Sequence, residues 1–174
     1  MANQNNVLWE LKPHSQGKHA VLREYLKAWL PILGKSQERI LFIDGFAGPG
    51  HYTDGEEGSP IIALRAFSEH AHRSHISAEI KFIFIEKDES RADFLCTVVD
   101  SWRATLPSNC NVTVISGSFD ETIKTVLDAL SQQSQQLAPA FVMLDPFGVK
   151  DTPMELISRI LQNPKSEIYV SFMY

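Results

Sequence analysis

Residues 39–50 read R-I-L-F-I-D-G-F-A-G-P-G, and the fold turns on how this stretch is read. Residues 40–43 are four consecutive Ile, Leu and Phe, too short a run for a helix. Ended by Asp44-Gly45, they suit a strand buried on both faces, as in a parallel sheet. Gly45, Gly48 and Gly50 then relax the steric limits on the backbone where the strand stops. In open α/β sheets that carboxyl end is where ligands sit. The turn Gly45, Phe46, Ala47, Gly48 and Gly50, with Asp44 before it, is therefore expected to hold a nucleoside-containing cofactor.

Working outward, residues 18–33 carry a helical pattern in Ala20, Leu22, Tyr25, Leu26, Trp29 and Leu30, with Pro31 and Gly34 expected to end it. On the other side, residues 51–58 form a polar loop. Ser59-Pro60 reads as an N-cap and a first-turn proline, opening a helix to about His70. A second buried strand is predicted over 81–86, ending in Glu86. Asp88 then caps a helix to about Arg103, with Ala92, Leu95, Cys96, Val99 and Trp102 on its apolar face. A third strand over 112–115 leads to a helix over 122–132. A fourth strand, 140–145, ends in Asp145. Thr152-Pro153-Met154-Glu155 reads as a capping box for a helix to about Leu161, and residues 167–173 as a fifth strand.

Strand and helix alternate five times, which predicts an α/β fold with a mostly parallel sheet covered on both faces, of Rossmann-like type. Residues 1–38 are read as a polar segment, disordered to about Asn6, and a helix packed on the core. Residues 39–174 are read as the core itself. Tyr174 falls at the end of the fifth strand, so the core is expected to be truncated there.

The 174 residues make one domain by length, with 44% hydrophobic and 21% charged residues and a net charge of −5. That balance gives no overall basic footprint for nucleic acid, although a local patch is compatible with it. Cys96 and Cys110 lie in no metal-ligand spacing and read as reduced thiols of a cytoplasmic protein. No apolar run approaches the length of a membrane span. His70, His72 and His75 lack an acid or Cys partner and read as surface residues, and no metal site is expected.

Three predicted strands end in carboxylates: Asp44, Glu86 and Asp145. A charge at the edge of a buried sheet has to be solvated or paired, and one cofactor accounts for two of them. Glu86 suits the hydroxyls of a ribose. Asp44 suits an ammonium group such as that of a methionine moiety. Each acid taken alone is as well explained as a turn cap. The turn departs from G-x-G-x-x-G, and the next helix starts only at Ser59, away from the turn in sequence. Pyrophosphate binding needs free amides at a nearby helix start, which argues against NAD or FAD; the P-loop pattern is missing too. S-adenosylmethionine, a cofactor without phosphates, fits better. Asp145-Pro146-Phe147-Gly148 fixes an extended backbone at the reactive end. There Asp145 and the Pro146 carbonyl can hold an amine while Phe147 stacks on a planar ring. Ser118 is placed near the adenine, with Asp120 equally suited to cap the following helix. Lys18 and His19 are candidates to reach the site, but at the start of an amphipathic helix surface exposure is the preferred reading.

The segments F-I-D-G-F-A-G-P-G-H-Y, D-G-E-E-G-S-P, M-L-D-P-F-G and V-S-F-M-Y, with the helix K-H-A-V-L-R-E-Y-L-K-A-W-L-P-I-L, resemble the three-Cys-motif partner proteins. These are bacterial and archaeal proteins of class I methyltransferase-like fold that accompany a radical-SAM-type protein carrying three cysteines. D-P-F-G is also similar, more distantly, to the D-P-P-Y signature of methyltransferases acting on exocyclic amines. The resemblance implies Asp44, Gly48 and Glu86 as cofactor contacts and Asp145, Pro146 and Phe147 as the catalytic edge. It further implies a methyltransferase of a nucleobase or other amine, with nucleic acid as a candidate substrate. The alternative is a non-catalytic module that serves the three-Cys partner. Phe147 and Gly148 depart from the second proline and the aromatic of D-P-P-Y.

Overall fold

The computed structural model describes residues 7–11, 13–146, 148 and 151–171. The expected disorder of the first six residues, the placement of Phe147 and the end of the fifth strand lie outside these. The elements run α1 (Pro13–Gly34), β1 (Arg39–Asp44), α2 (Ser59–Ser68), a single 3-10 turn (Arg73–His75), β2 (Glu79–Glu86), α3 (Glu89–Arg103), β3 (Cys110–Ser116), α4 (Phe119–Gln132), β4 (Ala140–Leu144), α5 (Met154–Leu161) and β5 (Glu167–Val170). All pairings are parallel and the strand order is β3-β2-β1-β4-β5. This is the doubly wound, Rossmann-like α/β fold that the alternation predicts, with its switch point between β1 and β4.

The apolar run of β1 explains itself in this frame. Ile40 and Phe42 face the cluster made with α1, α2 and α3, together with Phe82, Phe84 and Phe141. Leu41 and Ile43 face the other, with Val142, Leu144 and the apolar sides of α4 and α5. Alternate residues thus feed opposite cores, and the strand is apolar throughout. The edge strand β3 alternates instead, with Val112 its one fully buried residue.

Several local readings are corrected. Helix α1 begins earlier, at Pro13, and its buried stripe is His19, Leu22, Leu26, Trp29 and Leu30; Ala20 and Tyr25 face outward. Pro31 lies inside α1 and does not end it. A proline there leaves the Lys27 carbonyl without its helical donor, and the His70 imidazole Nε2 donates to that carbonyl at 2.9 Å. His70 Nδ1 accepts from the His72 amide at 3.0 Å, so both ring nitrogens serve backbone. No metal-holding cluster exists among the described residues. The N-cap of α2 is Gly58 and that of α5 is Pro153, so neither the Ser59 cap nor the Thr152 capping box forms. Asp88 does cap α3, accepting from the Arg91 amide. Cys96 is exposed, off the buried stripe of α3. Among the described residues no helix is long and apolar enough to cross a membrane.

Candidate functional site

A cavity of about 1010 Å³ opens at the carboxyl ends of β1, β2 and β4. Its lining brings together Gly45, Phe46, Ala47, Gly48, Gly50, Glu86, Ser118 and Asp145, residues that lie far apart in the chain. Asp44 sits beneath this floor. Pro146 is buried and does not line the cavity.

The β1 turn is held by backbone bonds to both neighbouring strands. The Gly45 amide donates to the Met143 carbonyl at 2.9 Å and the Ala47 amide to the Ile85 carbonyl at 3.0 Å. The Gly48 amide donates to Glu86 Oε2 at 2.8 Å, while Glu86 Oε1 accepts from the Asp88 amide at 2.8 Å. Glu86 therefore clamps the turn, and each of its oxygens keeps a second lone pair for a ligand hydroxyl. Gly48 and Gly50 have φ of +63° and +83°, the left-handed region that side chains rarely adopt.

The loop after Gly50 changes the argument made from spacing. His51 bridges Glu57, and the Gly58 amide donates to the Gly50 carbonyl at 2.7 Å, so the loop closes on itself. The start of α2 therefore returns to the turn, and sequence distance overstated the separation. The phosphate mode is still poorly served. Pro60 has no N–H, the Gly58 amide is used, and the amides of Ile61 and Ile62 close onto the Gly58 carbonyl.

Asp44 is almost wholly buried. Its Oδ1 accepts from the Phe46 amide at 3.2 Å, whereas Oδ2 has no hydrogen-bond partner among the described residues. Burial pushes its carboxyl up to about 6, with the Asp145 and Glu86 charges adding to the rise. The Phe46 amide opposes the shift, as does the neighbouring Ser59 hydroxyl, which lies outside full hydrogen-bond geometry. A buried carboxylate oxygen with nothing to accept from is a receptor for a donor or a cation.

At the end of the neighbouring strand β4, Asp145 Oδ1 accepts from Lys18 Nζ at 2.7 Å, the two side chains being 30% and 11% exposed. Next to it His19 is buried, and burial, reinforced by Arg23 and Lys18 and opposed by Asp145, holds its imidazole below the usual 6.5. His19 Nε2 lies 3.4 Å from the Tyr52 hydroxyl. Burial first, then the charges of Asp145 and Asp44, pushes that phenol up to about 12. Trp9 packs edge-on to Tyr52 with ring centroids 6.2 Å apart, and the Arg91 guanidinium lies 4.6 Å above the Trp9 ring. The Trp9 carbonyl accepts from the Thr53 amide at 3.1 Å, so residues 7–11 strap across the mouth. Lys18 and His19 are thus site residues and not surface ones. The missed signal was the stripe of α1: His19 precedes Leu22, Leu26 and Leu30 at helical spacing. Ser118 stands at the N-cap of α4 on the cavity wall and makes no side-chain capping bond.

No family model matches the chain, and no curated protein does. Among solved structures it is similar to a Haemophilus influenzae protein provisionally described as a methylase, over 86% of this chain and 69% of that one, at 24% identity and a TM-score of 0.48. It is also similar to the Escherichia coli protein yhhF, provisionally described as a methyltransferase, over 92% and 71%, at 20% identity and a TM-score of 0.43. Likenesses this distant carry no argument about chemistry. The resemblance to three-Cys-motif partner proteins stands on its motifs alone.

Proposed function

We propose that this chain is a methyltransferase that uses S-adenosylmethionine and transfers to an amine. The observation that carries the reading is one cavity lined by Glu86 and Asp145, with a third carboxylate, Asp44, buried beneath its floor. Glu86 is fixed by two backbone amides and offers lone pairs to a ribose diol. Asp44 is buried with Oδ2 unpartnered, which suits the ammonium of an amino-acid moiety. Asp145 follows the neighbouring strand, lines the cavity and is held to a primary amine, Lys18, at 2.7 Å.

The cradle also fits by shape. Positive φ at Gly48 and Gly50 lets the chain make the tight turn that runs along the cavity, with the space beside Gly50 filled by Leu95 and Ile61 and that beside Gly48 by Trp9. S-adenosylmethionine bound there supplies an electrophilic methyl group on a sulfonium. The protein's share is orientation and the exclusion of water. Asp145 directs the nitrogen lone pair, the strap of residues 7–11 covers the mouth, and neutral His19 can take a proton. Calorimetry with S-adenosylmethionine and S-adenosylhomocysteine tests this. Saturable heat and a raised melting midpoint are expected, and folded protein giving neither overturns it.

A second reading is favoured by the same ion pair: Lys18 occupies the carboxylate an acceptor would use. A methyltransferase-like module serving a radical-SAM-type three-Cys protein would bind the cofactor and transfer nothing. Stable complex formation with such a protein, unchanged by Asp145→Ala, would favour it.

A further inference from the structure

The ion pair has a chemical consequence. Lys18 Nζ is a primary amine that reaches the cavity from α1 and lies 2.7 Å from Asp145 Oδ1. Its side chain is nearly covered, and it lines the same cavity as the glycine turn and Glu86. On the reading above, Asp145 is the group that directs an acceptor nitrogen, and the nitrogen it already holds belongs to the chain. Lys18 differs in this from the other ion-paired lysines. Lys27, Lys81 and Lys124 lie on far more exposed pairs outside this cavity, and Lys87, which lines it, pairs with Asp151 at 3.9 Å through a side chain that is 75% exposed.

We propose that Lys18 Nζ is itself a methyl acceptor, so that the chain modifies its own α1, and that the acceptor subsite takes aliphatic primary amines. The proposal rests on the methyltransferase reading. The Lys18 ammonium first loses one proton to water. The Nζ lone pair then forms a bond to the methyl carbon of a sulfonium donor, the carbon–sulfur bond breaks, and its electron pair stays on sulfur as a thioether. The product is Nζ-methyllysine, still cationic and still able to pair with Asp145. The pairing that directs the amine therefore survives its methylation, and a chain so modified presents a bulkier group to any external acceptor.

The purified chain incubated with methyl-labelled S-adenosylmethionine tests this by peptide mass spectrometry. Label is expected on Lys18 ahead of every other lysine, at a rate independent of protein concentration as an intramolecular step requires. Lys18→Arg keeps a cation for Asp145 and is expected to carry no label, with an unchanged melting midpoint; Asp145→Asn is expected to slow labelling at least tenfold. A second readout needs no transfer: the Lys18 side-chain NMR resonances should shift when S-adenosylhomocysteine is added, while those of Lys35 stay in place. Cofactor heat with no label on Lys18 overturns this inference and leaves the methyltransferase reading standing. Absence of cofactor heat overturns both. Label that persists elsewhere in Lys18→Arg at the wild-type level marks surface chemistry and overturns the assignment.

Discussion

The turns after β1 and β4 both end a buried strand in an acid and both face the same cavity, yet they are built in different ways. The β1 turn is held by amides donating to Met143, Ile85 and Glu86 and by the closure of Gly58 onto Gly50, all short and mostly buried. At the β4 turn, Asp145 is part-exposed and tied to a lysine that lies 127 residues away in sequence, on α1. The first turn is rigid whether or not a ligand is present. Among the described residues, the Asp145 side chain of the second is tied by one ion pair, to Lys18. On the proposed methyltransferase reading, a backbone-held turn and an ion-paired Asp145 would separate cofactor binding from acceptor entry.

Glu86→Ala strikes the rigid turn hardest. It leaves the buried Gly48 amide and the part-buried Asp88 amide without acceptors. At about 1–3 kcal/mol per stranded group, a loss of about 4 kcal/mol is expected in urea unfolding, together with cofactor heat. Gly50→Ala should come next. It forces a side chain into φ +83° with its Cβ 2.8 Å from Leu95 Cδ1, a cost of about 3 kcal/mol for strain and repacking. If either variant proves nearly neutral, the first turn is not the rigid one.

The rigid turn was also the legible one. Residues 40–43 announce a doubly covered strand because alternate side chains feed different cores, and Asp88 announces a helix start because its carboxylate can reach an amide three residues on. Both signals are local. The same composition rules misjudged Ser59 and Thr152. Gly58 and Pro153 take the cap positions, and Ser59 lies beside Asp44. What could not be read locally was the Asp145 side of the site. Lys18 and His19 reach Asp145 and Tyr52 only because α1 docks across the sheet. Pro31 was expected to help end α1 and lies inside it, since the donor that satisfies the Lys27 carbonyl is His70, 43 residues away.

Asp44 offers an intermediate effect, with a sign opposite to the first two. Its carboxyl titrates near 3.8 in the unfolded chain and at about 6 in the fold, so the folded state holds the proton longer. The contribution to stability is complete below about pH 4 and is lost as pH rises through about 6. Asp44→Asn should therefore raise stability at neutral pH by about 2 kcal/mol and flatten the pH dependence of unfolding over that window. It should weaken binding of a cationic ligand at the same time, the trade expected where a destabilised group serves a ligand. Urea unfolding at a series of pH values decides it. A slope that survives in Asp44→Asn would mean that another group titrates there.

Lys18→Met should have the smallest effect on stability and is the sharpest test of the contrast. Methionine retains much of the apolar stem and removes the charge. Asp145 is exposed enough to be hydrated in its place. A part-exposed pair of this kind contributes about 1 kcal/mol or less. The informative change is at His19, where the Lys18 cation is one of the groups holding the imidazole below 6.5 and Asp145 is the one raising it. Without Lys18 the His19 titration, followed by NMR of the ring protons, should move upward. If Lys18→Met instead cost as much as Glu86→Ala, Lys18 would brace the β4 turn as firmly as Glu86 braces the β1 turn. Asp145 would then have no exchangeable partner, and an external amine could reach it only by disrupting the fold.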